Sequence, residues 1–560
     1  MSATTFRHLF PILVDRQPEQ YIYFDSAATS LKLASVIHTT QDYYQSNTSN
    51  VHRSSHKVAQ HVTEQFEQAR RVVQQFINAK NQREVIWTQG ATDSLNLLAQ
   101  CLGRSSLLDA RGTEILIAAT EHHSNIVPWQ ELARQYNLVI KVMPVDANGV
   151  LKLHDALQLI SKHTAIVAIG HVSNALGNIN PVQAIIQRAK AHGAISVIDG
   201  TQAVAHMPVD VVALDCDFYV FSGHKIYGPT GIGVLYGKLP LLEALPPYRL
   251  GGEMVKTVSF KQAATFQPSP LKFEAGTPNI AGVLGLAEAI KFIESNMHEI
   301  MALEQTLYLQ LLQLLENIPE VTLWGDKANS ISLQSFTVKG VNVYDLALLL
   351  DSHNIALRVG HHCAMPLFNE LAIDGVLRVS LSCYNNEQEL ALFDIALRDS
   401  IATLSQQVVE PDVRHKPSHL HNVVNEDGPL GAIALSIKSA KGWDNSFRQL
   451  MLAGKGLARL TEADKLPSTE VLGCESQVWI KCEWHNQQLN VSGDSPSKIV
   501  RGLLAVIFEV LNGQNREFVL AFDISKYLAT LGLARHLSES RGNGLTAVVE
   551  KIMLFCKERR

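Results

Sequence analysis

The feature that most constrains this chain is a succession of short apolar runs in its first half. Residues 85–87, 114–119, 138–145, 165–170, 195–198, 214–221 and 231–236 each read as a strand with few polar interruptions. Between several of them, apolar residues recur at helical spacing, over 127–136, 153–161 and 181–192. Near-continuous apolar strands alternating with amphipathic helices predict a buried, mostly parallel sheet of the α/β class. In such sheets ligands collect at the carboxyl ends of the strands. The 90–92 turn, the 122–125 turn, Asn174, Asp199 and Lys225 all fall just past those ends.

The rest of the chain sets the domain plan. Its 560 residues suggest roughly two to four domains. Glycine- and proline-rich loops over 241–280 lead into a long helix over 281–316, and a smaller α+β region follows to about residue 407. Residues 1–407 are therefore expected to form a large domain over about 20–262 and a small one from the N-terminal segment plus about 263–407. Residues 408–428 are polar, contain prolines and show no periodicity, as a linker does. A separate α+β domain is expected over 429–560, with helices at 443–460, 496–512, 524–535 and within 541–556, and one alternating strand region at 478–492.

Composition excludes several classes. With 46% hydrophobic and 18% charged residues and a net charge of −5, the chain lacks the basic balance of a nucleic-acid binder. Seven scattered cysteines without a CxxC pair argue for reduced thiols and a cytoplasmic location. Pro11, Asp15 and Arg16 interrupt the apolar start that a signal peptide needs. No apolar run is long enough for a membrane span. No nucleic-acid or membrane partner is expected.

Lys225 stands in FYVFSGHKIYGPTGIGVLY (218–236), just past a strand end and among apolar residues and glycines. Desolvated there, its amine would have a lowered pKa and could form a Schiff base. Taken alone, the stretch reads equally well as a surface turn. The wider pattern favours pyridoxal phosphate (PLP), which needs a carboxylate at its ring nitrogen, a donor to its phenolic oxygen, a flat face over the ring and a phosphate cradle. Asp199, Gln202, and His122 or His123 suit the first three. The turn at Ala91 and Thr92, opening a helix, suits the fourth together with Ser222 and His224, because a helix N-terminus presents free N–H groups. Each has a plainer reading as a cap, a surface histidine or a backbone partner. Their joint occurrence in this order is what points to the coenzyme. The run His361-His362-Cys363 also suggests a metal, but three adjacent residues do not easily converge on one ion, and no metal is expected.

Residues 1 to about 407 resemble a PLP-dependent cysteine desulfurase of the SufS/CsdA type, in aminotransferase class V. The motifs are FDSAAT (24–29), EHHSNIVPW (121–129), HVSNALG (171–177), DGTQA (199–203), SGHKIYGPTGIGVLYG (222–237), FEAGTPN (273–279) and RVGHHCAMP (358–366). QGATD (89–93) departs from the usual pattern by carrying Ala91 where relatives often have threonine. The resemblance implies a fold-type I PLP transferase in which Lys225 holds the coenzyme and serves as acid and base. Asp199, Gln202, His122, Ala91, Thr92, Asn174, Ser222, His224 and Thr277 would contact it. Arg378, with Asn174 and Arg358, would bind the carboxylate of L-cysteine. Cys363 would take the sulfur as a persulfide, its ionisation helped by His361, His362 or Arg358. Residues from about 430 onward resemble the SufE/CsdE sulfur acceptor through LAGKGL (452–457), LGCESQVW (472–479), GDS (493–495), IVRGLLAVIFEVLNG (499–513) and LARHLSESRGNGL (533–545). There Cys474 would be the acceptor thiol.

The resemblance further implies a homodimer, with residues 251–253 and Thr277 reaching the partner's site. It also implies downstream sulfur acceptors or Fe–S scaffold proteins. Selenocysteine lyase activity on the same site is the alternative.

Overall fold

The computed structural model describes residues 4–53, 55–109, 111–406, 430–440, 443–471, 477–533 and 539–558. The chain divides into two compact units, residues 1–407 and 408–560.

The first unit is built on a seven-stranded sheet. Its strands are β1 (Val85–Thr88), β2 (Glu114–Ala118), β3 (Val139–Met143), β4 (Thr164–Gly170), β5 (Ile195–Asp199), β6 (Phe218–Ser222) and β7 (Gly233–Gly237), in the spatial order β1-β7-β6-β5-β4-β2-β3. Only β7 runs against its neighbours, so the other six strands share one direction. Their carboxyl ends therefore meet at one edge. The apolar runs serve two cores at once, because successive side chains point to opposite faces. Leu116, Val167, Ile169, Tyr219 and Phe221 enter one core, and Ile115, Ile117, Ala168, Val197 and Val220 the other. The edge strand β3 is the exception: Val139 is exposed, and Lys141 pairs with Glu114 at 2.6 Å.

Helices α1 (Lys57–Phe76), α2 (Ala91–Gly103), α3 (Val127–Tyr136) and α4 (Val182–Ala191) pack on this sheet, and α5 (Ile280–Glu316) runs beyond it. Apolar spacing in the sequence predicts this helix over 63–79, and α1 begins six residues earlier. The His56 ring caps it by accepting the Ala59 N–H at 3.2 Å. Over its 37 residues α5 joins two cores. Val283, Leu286 and Ile290 lie in the large core, and Leu307, Leu311 and Leu315 in that of the small domain. The small domain's sheet is antiparallel, with β8 (Val321–Trp324), β9 (Leu333–Val338), β10 (Arg358–Gly360) and β11 (Val376–Ser380) in the order β8-β9-β11-β10.

The second unit carries α6 (Ala432–Ser439), α7 (Trp443–Gly456), β12 (Trp479–His485), β13 (Gln488–Asp494), α8 (Lys498–Leu511) and a terminal α9 (Glu539–Glu558), with two short helices between α8 and α9. The single strand region expected at 478–492 is a hairpin of two antiparallel strands. Its two-residue turn, Asn486-Gln487, has φ of 51° and 65°. That geometry usually selects glycine, and without one the turn left no clear mark in the sequence.

One buried ion pair fastens the edge of the large sheet next to the 88–92 turn. Arg70 of α1 is 1% exposed and donates to both carboxylate oxygens of Glu274, at 2.7 and 2.9 Å. It also donates to the Val85 carbonyl at 2.9 Å, while Glu274 accepts the Trp87 N–H at 2.8 Å. Removing one partner leaves the other charge buried and alone, which costs about 3–5 kcal/mol. Arg70→Met should therefore lower the unfolding free energy of the unit that holds it by that much, read from the urea midpoint and slope of the full chain by circular dichroism. The double variant Arg70→Met/Glu274→Leu should regain most of the loss.

Candidate active site

A cavity of about 200 Å³ opens at the carboxyl edge of the large sheet. Four of the strands hand it residues. Past β2 come Thr120, Glu121 and His122; past β4, Ser173 and Asn174; at the end of β5, Asp199, followed by Thr201 and Gln202; at the end of β6, Ser222, then His224 and Lys225. Ala91 and Thr92 open α2 on its wall, and the small domain adds Arg358, His362, Cys363 and Arg378.

Lys225 lies on the short helical turn after β6. Burial, then the Arg378 cation, lower its pKa to about 8, against the opposing pull of Asp199. The turn is anchored through the His224 carbonyl, which accepts from Ser30 N at 3.0 Å and from Lys32 Nζ at 2.9 Å. Asp199 accepts the Thr201 N–H at 3.0 Å. Gln202 Nε2 donates to the Ala27 carbonyl at 2.9 Å, and an amide nitrogen keeps a second hydrogen for another acceptor. His122 Nδ1 accepts the Ser124 N–H at 3.0 Å, so the ring proton sits on Nε2. Burial and the Lys225 charge hold its pKa down at about 4, leaving a neutral ring.

The wall formed by α2 suits an anion. Gly90 is the N-cap, with φ of 148° and no side chain of its own to cap the helix. A Cβ at Gly90 would sit 3.3 Å from Ser222 Oγ, which accepts the Ala91 N–H at 2.8 Å. Thr92 shares a hydrogen bond with Ser124 at 2.7 Å, and His224 Nδ1 lies 3.2 Å from Thr29 Oγ1.

Arg378 is 2% exposed on β11, directly opposite Arg358 on β10. Like charges placed opposite each other repel. Asp25 lies between them, accepting from Arg378 Nη2 at 3.1 Å and from Arg358 Nε and Nη2 at 3.1–3.2 Å. Arg378 Nη1 donates to the Asn174 carbonyl at 2.7 Å, while Nε is buried without a partner. The hydroxyls of Thr120 and Thr201 are likewise buried and unpartnered, and all three residues line the cavity. Burial lowers the Arg378 pKa to about 10, which leaves it cationic at neutral pH. An orphaned guanidinium N–H suits a carboxylate. The amine, the carboxylate, the neutral imidazole and the helix N-terminus suit PLP.

Cys363 is exposed, on the loop joining β10 to a short helix. It and His362 both adopt left-handed backbone geometry, with φ of 58° and 49°. For residues with a Cβ this costs about 1–3 kcal/mol each. Asn174 Nδ2 holds the His362 carbonyl at 2.6 Å. Burial drives the His362 pKa well below its usual value, so this ring is neutral and supplies no charge to Cys363. The cations that bear on Cys363 are Lys225 and Arg378.

Of the expected site residues, Thr277 lies outside this cavity and is exposed. Cys474 lies outside the described residues. Among the described residues there is no cluster of three or more acidic, histidine or cysteine side chains able to hold a metal, and no helix long and apolar enough to cross a membrane. Two residues that the sequence had not marked stand out. Asp25, within FDSAAT, pairs two arginines more than 300 positions away, and no local pattern reveals that. Glu121, within EHHSNIVPW, is 2% exposed and accepts the Gly170 N–H at 2.9 Å and Asn125 Nδ2 at 2.6 Å. Burial raises its pKa to about 8.

Comparison with known proteins agrees with this geometry. Residues 22–393 match the aminotransferase class-V family, and residues 432–556 match the Fe-S metabolism associated domain, SufE. The chain is 46% identical over 415 residues to a probable cysteine desulfurase of Vibrio cholerae, covering 72% of this chain and all of that one. It is 43% identical over 385 residues to a cysteine desulfurase of Yersinia pseudotuberculosis, covering 68% and 94%. Among solved structures, the cysteine desulfurase CsdA of Escherichia coli superposes with a TM-score of 0.66 at 38% identity, over 72% of this chain and 99% of that one. A cysteine desulfurase of Thermococcus onnurineus superposes with a TM-score of 0.67 at 37% identity, over 71% and 97%. The chain thus belongs to the PLP-dependent cysteine desulfurases of the aminotransferase class-V family and carries a SufE domain behind the enzyme.

Proposed function

We propose that the chain releases L-alanine from L-cysteine, takes the sulfur onto Cys363 as a persulfide, and passes it to Cys474 for iron–sulfur cluster assembly or another sulfur-using pathway. The observation that carries this reading is one cavity shared by the desolvated Lys225 amine, the half-satisfied Arg378 guanidinium and the Cys363 loop. Lys225, Asp199, His122 and Gln202 would hold the coenzyme ring, and the start of α2 with Thr92, Ser222 and His224 its phosphate. When bound, PLP supplies an electron sink that weakens the bond between substrate Cβ and sulfur. Arg378, steadied by Asp25 and the Asn174 carbonyl, binds the substrate carboxylate through its free Nε–H. Lys225 moves the proton at Cα. The Cys363 thiolate forms an S–S bond as Cβ–S breaks. The carbon skeleton leaves as alanine after protonation. The reading includes a homodimer, in which the exposed Thr277 and residues 251–253 would complete the partner's site.

Three outcomes are expected. First, a pKa of about 8 leaves roughly 10% of Lys225 as free amine at pH 7, against ~0.03% for an ordinary lysine. Only the deprotonated amine is nucleophilic, so coenzyme capture by the apoprotein, followed by visible absorption, should accelerate as pH rises and level off above about 8. A rate still climbing tenfold per unit at pH 9 would mean an unperturbed lysine.

Second, mass spectrometry after incubation with cysteine should show one added sulfur atom on Cys363 and then on Cys474. In Cys474→Ser it should stop at Cys363, and in Cys363→Ser neither site should gain it.

Third, carriage on one chain gives an effective concentration of order millimolar. Alanine release per wild-type chain should hold on dilution, whereas that of Cys363→Ser mixed with Cys474→Ser should fall. Equal behaviour would show that joining the two domains does nothing for transfer.

A further inference from the structure

His123 is not among the residues lining the cavity, yet it makes two contacts with the loop that bears Cys363. Its backbone N–H donates to the Cys363 carbonyl at 2.7 Å. Its ring Nε2 accepts the Met365 N–H at 3.2 Å. The first contact reaches the cysteine itself, and the second reaches the chain two residues later. A further hold comes from Asn174 on the His362 carbonyl at 2.6 Å, and within the loop Ala364 N–H closes on the His361 carbonyl at 2.8 Å. The loop requires such holders because His362 and Cys363 sit consecutively in the left-handed region, with Gly360 at φ of 113° before them. Residues with a Cβ leave that region unless their surroundings over-determine it. His123 is itself fixed, since it lies in the 123–125 turn whose end is closed by Ile126 N–H on the His123 carbonyl at 3.1 Å. As an acceptor at Nε2, the ring is neutral and carries its proton on Nδ1. Burial and neighbouring His361 both lower its pKa and favour that form.

We infer that His123 is a positioning residue for sulfur abstraction: through the Met365 N–H it clamps the Cys363 loop in the strained conformation that brings the thiol to the cavity. The inference rests on Cys363 being the sulfur-accepting nucleophile. The ring acts on the loop and not on the coenzyme or substrate, so its loss should separate the sulfur step from binding.

The test compares His123→Ala, His123→Leu and His123→Gln in the full-length protein, because a Gln Oε1 can take the place of Nε2 as acceptor whereas Ala and Leu cannot. Coenzyme absorption and the KM for cysteine should stay within about twofold of wild type in all three. The first-turnover burst of alanine should slow about 5- to 30-fold in the Ala and Leu variants, the scale of one positioned hydrogen bond, and return to within about threefold in Gln. In the apoprotein, alkylation of Cys363 by iodoacetamide, read by mass spectrometry, should quicken several-fold in Ala and Leu but not in Gln. The Leu variant keeps the side-chain volume should Ala fail to fold. Equal bursts and alkylation rates in Gln and Leu would overturn the clamp. A burst that survives Cys363→Ser would instead overturn the desulfurase reading beneath it.

Discussion

The cavity holds more positive charge than its own anions can balance, and the architecture around it follows from that excess. Lys225, Arg358 and Arg378 line it, against Asp199 and a Glu121 carboxyl whose pKa burial has raised. Asp25 neutralises part of the arginine pair but leaves Arg378 Nε unmatched. A site like this is costly when empty and favourable when filled, because each anion that enters removes repulsion among cations that cannot move apart. PLP brings a phosphate and the substrate brings a carboxylate, so the cavity's imbalance matches the charges of its ligands. Burial first, and then the Arg378 cation, lower the Lys225 pKa and make it a better amine nucleophile.

The fold keeps these charges in place through covalent topology. Six strands of common direction deliver their loops to one edge, and the sheet beneath is apolar on both faces, so those loops cannot sink into it. The small domain supplies both arginines and the cysteine from one antiparallel sheet and its outgoing loop. Helix α5 belongs to both cores and fixes the distance between the domains. Asp25 comes from the N-terminal segment, which bridges to Ser380 on β11. The anion that separates the arginines is therefore delivered by the same segment that closes the small domain onto the large one.

How much of this was legible depended on the range of the interaction. The α/β class, all seven strands of the large sheet and the convergence of Asn174, Asp199 and Lys225 follow from local apolar runs and their ends. Helix α3 matches its predicted span because Pro128 and Asn137 punctuate it. Helix α1 does not, because its start is set by a histidine cap. The hairpin of the second unit was hidden by a turn without glycine. In the site, residues on the loops after strands were visible, whereas Asp25 was not: a carboxylate's partners on two distant strands are fixed by tertiary pairing alone. Asn174 was expected to serve coenzyme and substrate. Its amide nitrogen is engaged with the cysteine loop and its carbonyl with Arg378, an orienting geometry that no sequence pattern could express.

In the proposed reaction the cysteine loop must meet two opposed requirements. To attack sulfur on a bound substrate, Cys363 has to be held in the cavity. To give that sulfur up, it has to remain within reach of another thiol. A relaxed loop would meet the second requirement and fail the first, and a buried cysteine would do the reverse. The structure takes a third course, with an exposed thiol on a backbone in left-handed geometry, restrained by a few hydrogen bonds from Asn174 and His123. Backbone strain of this kind favours leaving the held state, and the hydrogen bonds oppose it. If the acceptor thiol is carried on the same chain, as proposed, such a loop would suffice, because the cysteine need be free only for short intervals.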